Sequence, residues 1–195
     1  MKLQIKIPGE TLQNNIKVRI MFARDIQNFP KVTIEIKPST IIKEEIGVFA
    51  VCDISKNSVI AKAEIFETKV VKFNWNQVNQ FDDITRKKIM DYGLGEINGV
   101  TIIDNLNYLS IPWNMNHGCD YNVGFGEHDD FIAKRNIRKG EELLWDYGLA
   151  ETNPKFKMMC KCRSPICRKI ITGNDWKNSE FRKKNIDYML NALRK

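Results

Sequence analysis

Cys160, Cys162 and Cys167 fall within eight residues of one another in the spacing C-x-C-x4-C. Thiolates are soft ligands that suit zinc, and a structural zinc site takes four of them or a mixture with histidine. Ligands this close in sequence form most of a site at small entropic cost, and Ser164-Pro165 supplies a turn that brings Cys167 back. Lys161, Arg163 and Arg168 lie beside them and favour thiolate over thiol. One ligand is then still to be found, and the candidates are Cys52, Cys119, His117 and His128. Cys52 ends the strand-like run 48–52, where a buried free thiol is the ordinary expectation. Cys119 stands in the polar, irregular stretch 116–120 and is the better fourth ligand. Five cysteines, three of them clustered, differ from the even and dispersed set of a small disulfide-bonded secreted protein. The expectation is a metal site in a reducing, intracellular compartment, cytoplasmic or nuclear.

Two further segments have residue types suited to chemistry: Asn116-His117-Gly118-Cys119-Asp120-Tyr121-Asn122, and Gly140-Glu141-Glu142-Leu143-Leu144-Trp145-Asp146-Tyr147-Gly148. Upstream stands Gly47-Val48-Phe49-Ala50, followed by Asp53-Ile54. In this order, with the cysteine cluster after them, the segments resemble the SET-domain protein lysine methyltransferases that have a cysteine-rich post-SET segment. The resemblance covers roughly residues 40–170. It implies a mainly β fold, a β-clip of small curved sheets with a pseudoknot in which the Asn-His segment passes beside the Asp-Tyr segment. It implies S-adenosyl-L-methionine as cofactor, bound by Asn116 and His117 and by the backbone around Ile46, Gly47 and Val48. It assigns Tyr147 to catalysis, and Cys119, Cys160, Cys162 and Cys167 to structural zinc. The substrate it implies is a lysine-bearing protein or peptide, a histone or another basic protein. Glu45-Ile46-Gly47 keeps one of the two glycines usual in the family. Trp113-Asn114 replaces Arg-Phe, Gly118 a common Ser and Tyr121 a Pro, while Trp145 stands where Phe or Tyr is usual. These departures make a non-catalytic SET-like interaction module the alternative.

Elements must hold these residues in place, and their pattern is mostly that of strands. Leu3, Ile5 and Ile7, then Ile16, Val18, Ile20 and Phe22, then Val32, Ile34 and Ile36 alternate with period two. Pro8-Gly9 and Asn14-Asn15 are turns between them, and the pattern predicts an N-terminal β extension over 1–38. Short strands are expected at 47–54, 59–66, 70–73, 100–103 and 131–137. One helix capped by Asp82 or Asp83 runs to about Tyr92, with Ile84, Ile89 and Met90 on its apolar face and Gly93 and Gly95 after it. The SET domain is expected over 39–150 and the zinc segment over 151–176. Phe181, Ile186, Met189, Leu190 and Leu193 predict a single amphipathic helix over 177–195, capped by Asn178 or Ser179.

The chain has 195 residues, enough for one main core with small appendages. No apolar run approaches the roughly 18–20 residues that span a bilayer, and the first residues lack a secretory signal. The net charge of +7 sits at the ends: +4 in residues 1–40, +4 in 177–195 and −1 between. A nucleic-acid-binding core would carry the charge itself, so nucleic acid is at most a secondary partner. Oligomeric state is not legible.

Overall fold

A computed structural model of the chain describes residues 31–63 and 70–195. The alternating segments around Leu3 to Ile7 and Ile16 to Phe22, and the far end of the strand expected over 59–66, lie outside the described residues. Along the chain come β1 (Ile34–Pro38), β2 (Ile46–Ala50), β3 (Val59–Ala61), β4 (Val70–Asn74), α1 (Trp75–Val78), α2 (Asp83–Tyr92), β5 (Leu94–Glu96) and β6 (Gly99–Ile103). Two 3-10 turns, Leu106–Tyr108 and Ile111–Asn114, lead to β7 (Asn116–His117), β8 (Val123–Phe125), β9 (Phe131–Ala133) and β10 (Glu142–Trp145). After a 3-10 turn at Tyr147–Leu149 come β11 (Lys157–Met159), β12 (Ile170–Thr172), α3 (Ser179–Asn185) and α4 (Asn191–Arg194). The architecture is mainly β, in small sheets.

The sheet that carries the motifs has the order β1-β2-β10-β7. β10 runs antiparallel to β2 and parallel to β7, with Leu144 opposite Asn116 and Trp145 opposite His117. Gly118 N–H donates to Trp145 O and Asn122 N–H to Leu144 O, so residues 116–122 wrap the end of β10. The Asn-His and Asp-Tyr segments thus lie side by side, which is the juxtaposition expected of the pseudoknot. Asn122 is buried and fixes the crossing, accepting from Leu144 N–H at 2.8 Å and donating to Glu142 O at 2.9 Å. Val48, Ala50, Met115, Tyr121, Val123, Leu143, Leu149 and Met189 belong to the core beneath.

A second sheet, β4-β6-β5, forms a separate layer with α1 and α2 around a small cluster of Val78, Ile89 and Val100. The helix begins as the sequence predicts: Asp82 Oδ1 accepts from Ile84 and Thr85 N–H, both at 3.0 Å. Of its three expected apolar residues only Ile89 is buried; Ile84 and Met90 are exposed, because a helix of this length meets the layer along one line. Gly95 does not end the helix but lies in β5. The strand expected over 47–54 stops at Ala50. The chain then bends, leaving Cys52 exposed instead of buried, and rejoins at a single bridge between Ile54 and Ile137.

The tail departs most from expectation. Instead of one amphipathic helix there is α3, a 3-10 turn at Ile186–Tyr188, extended backbone at Met189 and then α4. The cause is packing on two levels. Asn185 is buried with its amide spent on Tyr121 Oη and Phe181 O, and Met189 is fully buried in the main core. A straight helix cannot place both, so the chain breaks between them.

Candidate active site and metal centre

Ile46, Gly47, Val48, Asn116 and His117 lie on two strands that flank β10. Asn116 Nδ2 donates to Ile46 O at 2.8 Å and to Glu142 Oε1 at 3.1 Å, which ties β7 to β2 across β10. Glu142 is a buried hub that also accepts from Ser39 Oγ at 2.9 Å and from Thr40 N–H at 2.8 Å. A Cβ at position 47 would stand 2.2 Å from Glu142 Oε1. That contact explains why a glycine is needed at 47. The first glycine of the family pattern is replaced by Glu45. The structure thus brings the backbone of 46–47 and the Asn116 amide together.

His117 is buried with its ring between two structures. Its Nδ1 accepts from Tyr147 N–H at 3.2 Å, so the ring proton sits on Nε2, 3.4 Å from Cys119 Sγ. Burial holds its pKa down to about 4, and the ring is neutral. Tyr147 opens the 3-10 turn that ends at Leu149, and its hydroxyl lies 3.5 Å from Met115 O. Burial pushes this phenol up to about 12, so it stays protonated. Asp146, fully buried, accepts from Gly148 N–H at 2.9 Å and from Arg168 Nη2 at 2.7 Å, with Arg168 Nη1 on its other oxygen. Arg168 also contacts Asp175 at 3.1 Å. A carboxylate this deep requires such a partner, because an unpaired buried charge is costly.

Cys119, Cys160, Cys162 and Cys167 come together with their sulfur atoms all within 4.8 Å of one another. Cys119 and Cys160 sulfurs are 3.8 Å apart. Tetrahedral bonds of ~2.3 Å imply sulfur separations of ~3.8 Å, so the set fits zinc. Backbone N–H groups point at the sulfurs: Arg168 at Cys119 (3.3 Å), Cys162 at Cys160 (3.4 Å) and Lys169 at Cys167 (3.4 Å). Such donors stabilise thiolates in a metal site. Cys52 and His128 are not in the group. Burial pushes Cys119 up to about 11, whereas N–H groups outweigh burial at Cys162 and bring it to about 7.

A cavity of about 490 Å³ opens beside Tyr147. Phe125, Phe131 and Trp145 form an aromatic wall, with ring centroids 5.0 to 6.0 Å apart, and Trp145 packs at a tilt on Tyr147 at 4.7 Å. Among the described residues its acidic lining groups are Asp91, Asp129 and Glu151, and no Lys, Arg or His lines it. Glu151 is buried and accepts from Gly95 N–H at 3.1 Å and Asn153 N–H at 2.7 Å. Burial raises it to about 7.

Residues 45–148, more than half of the chain, match the profile of the SET domain. The chain belongs to the SET-domain family. A probable histone-lysine N-methyltransferase, set-23 of Caenorhabditis briggsae, is 36% identical over 85 residues, 40% of this chain and 35% of that protein. Histone-lysine N-methyltransferase ash1 of Drosophila melanogaster is 32% identical over 84 residues, 40% of this chain and 4% of its own length. An H3 lysine-4 specific histone-lysine N-methyltransferase of Schizosaccharomyces pombe is 30% identical over 132 residues, 63% of this chain and 14% of that protein. The matched region thus spans about a third or less of each of these relatives. No helix among the described residues is long and apolar enough to cross a membrane.

Within this SET domain the departures have local causes. A Cβ at Gly118 would meet Leu144 at 2.9 Å, so the crossing is tighter than a serine allows. Tyr121 replaces proline with a phenol whose hydroxyl donates to Asn185 Oδ1 at 2.9 Å. Sequence reasoning passed over Glu151 and gave no structural role to Glu142 or to the Arg168–Asp146 pair. Arg168 follows the last cysteine and Asp146 precedes the tyrosine, a pairing of opposite charges at two motif ends that was available as a signal. Glu142 stands inside the Gly140–Gly148 motif, whereas nothing local marks Glu151.

Proposed function

We propose that this chain is a protein-lysine N-methyltransferase that uses S-adenosyl-L-methionine, acts on a histone or another basic protein, and holds a structural zinc ion on its four clustered cysteines. The observation that carries the reading is the cavity: aromatic walls, three carboxyl groups and no cation among the described lining residues, and a protonated tyrosine hydroxyl at one side. That environment suits a long alkyl chain ending in an amine.

When bound, the cofactor supplies an electrophilic methyl group on a sulfonium. Ile46, Gly47, Val48, Asn116 and His117 are the residues assigned to hold it, through main-chain groups and the Asn116 amide. The acceptor arrives as an ammonium with an unperturbed pKa of about 10.4 and reacts only as the neutral amine. Asp91 and Asp129 attract the cation. Phe125, Phe131 and Trp145 exclude water, which disfavours the charged form. Tyr147 Oη then orients the amine as a hydrogen-bond partner, and Met115 O sits beside it. Alignment of this kind is worth roughly 7–11 kcal/mol. The relatives named as histone enzymes support a histone acceptor and a nuclear site of action.

The test is transfer from labelled cofactor to purified histones and to a cell lysate, with mass spectrometry of the modified residue. Tyr147→Phe is expected to lower the rate by about tenfold or more, a barrier change of about 1.4 kcal/mol. An unchanged rate removes the hydroxyl from the mechanism. Failure of the zinc-loaded protein to bind cofactor in calorimetry returns the chain to the non-catalytic module.

A further inference from the structure

The geometry points to Leu190 as a specificity-determining residue for the methyl acceptor, held in place by a strap of residues 186–194 that finishes the cavity wall. The inference rests on reading the cavity as the acceptor site. The strap lies outside the matched SET region, yet Asn191 and Arg194 bond to residues 125–129 within it.

Leu190 lines the cavity together with Tyr147, Trp145, Phe125 and Phe131. Its backbone N–H donates to Leu149 O at 3.0 Å, in the turn that begins with Tyr147. The next residue fixes a second part of the lining: Asn191 N–H donates to Asp129 Oδ1 at 2.8 Å, and its side chain donates to Glu127 O. Asp129 has φ +61°, a conformation uncommon outside glycine, so an external hold on its carboxylate matters. Arg194 fixes a third part. Its Nη2 donates to Phe125 O and Gly126 O, both at 2.9 Å, and its Nε returns to Met189 O at 2.7 Å.

The strap is seated too closely to be a loose appendage. A Cβ on Gly124 would stand 2.7 Å from Tyr188 Cβ, and Met189 is fully buried. One short segment thus sets an apolar wall residue, an acidic lining residue and the end of the aromatic wall. Its Leu190 side chain is the part that meets the acceptor. A change there alters which side chain fits and how tightly, while Ile46, Gly47 and Asn116 are untouched.

The experiment uses the zinc-loaded full chain and a histone H3 amino-terminal peptide as acceptor. The Michaelis constants for peptide and for cofactor are measured separately. Peptide affinity is also measured by fluorescence anisotropy with the demethylated cofactor, so that no turnover is required. Leu190→Ala and Leu190→Trp are each expected to raise the peptide constant about tenfold, the range typical of a misfitted apolar contact, with cofactor affinity within about twofold of wild type. Leu190→Met is expected to bring the peptide constant back toward the wild-type value. Arg194→Ala, which does not touch the cavity, is expected to give a smaller rise in the same direction, and it serves if a Leu190 variant does not fold. Peptide constants that stay level across folded variants, or cofactor constants that rise in parallel, overturn the inference while methyl transfer itself stands. A wild-type chain that binds neither cofactor nor peptide overturns the functional reading and this inference with it.

Discussion

Glu151 brings a carboxyl group to a place that water barely reaches, 7% exposed, and two backbone N–H groups do not offset the loss of hydration. Its pKa rises from 4.5 to about 7. The native state therefore keeps a proton that the unfolded chain has already lost. The stabilisation this provides is complete at acid pH and fades as pH rises through about 7, because the folded value lies above the unfolded one. Glu151→Gln cannot titrate. The stability difference between wild type and Glu151→Gln is expected to move in the variant's favour by on the order of 1 kcal/mol between about pH 6.5 and about pH 8. Urea unfolding of both proteins at the two pH values checks this, and because only the difference is compared, other titrating groups cancel. Parallel curves would mean that Glu151 is not the titrating group. At this scale the sequence was readable wherever a residue works with its neighbours in the chain, as the cysteines do. Glu151 works with Gly95, 56 residues away, and no local pattern encodes that.

At the scale of elements, β10 organises the site because it touches both β2 and β7, and Glu142 at its start bonds to both sides. The fit is tight at one point. Gly47→Ala places a methyl group 2.2 Å from the Glu142 carboxylate, so either the strand or the carboxylate must move. The expected cost is about 1–3 kcal/mol in stability, with a larger relative loss in cofactor affinity, measured by chemical unfolding and calorimetry. A variant with wild-type stability and affinity would show that the hub can shift freely. The strands around the motifs and the start of α2 were legible, since alternation and an Asp cap are local signals. The tail was not. Its apolar residues have helical spacing, but Asn185 and Met189 answer to partners in the body, and those partners break the helix. Cys52 shows the same limit, since the bend that exposes it depends on Ile54 meeting Ile137.

For the whole molecule, charge is divided by segment. Residues 41–150 hold twelve Lys/Arg and seventeen Asp/Glu, net −5, whereas residues 151–195 hold twelve and four, net +8. The C-terminal part is thus basic and the part before it acidic, and the Arg168–Asp146 pair joins the two. Structural zinc contributes on the order of 10–16 kcal/mol in small domains, enough to order a segment with little core of its own. Chelation, or Cys119→Ser, is expected to abolish methyl transfer while the far-ultraviolet signal of the strands largely remains. Full activity after complete metal removal, verified by elemental analysis, would break the proposed link between the cysteines and Tyr147.

That link runs through one ring. His117 faces an N–H of the tyrosine turn at 3.2 Å and the Cys119 sulfur at 3.4 Å from its other side. The two neighbours make opposite demands: one needs a lone pair, the other is best served by a proton. A neutral imidazole carries both, at fixed positions on a rigid frame, whereas an amide side chain bears its donor and acceptor at one end. The ring is best understood as a polarised crossbar, and its value lies in staying neutral at any pH well above about 4. Reversing its tautomer would set proton against proton on one side and lone pair against sulfur on the other, so the two halves of the site hold each other's hydrogen in place.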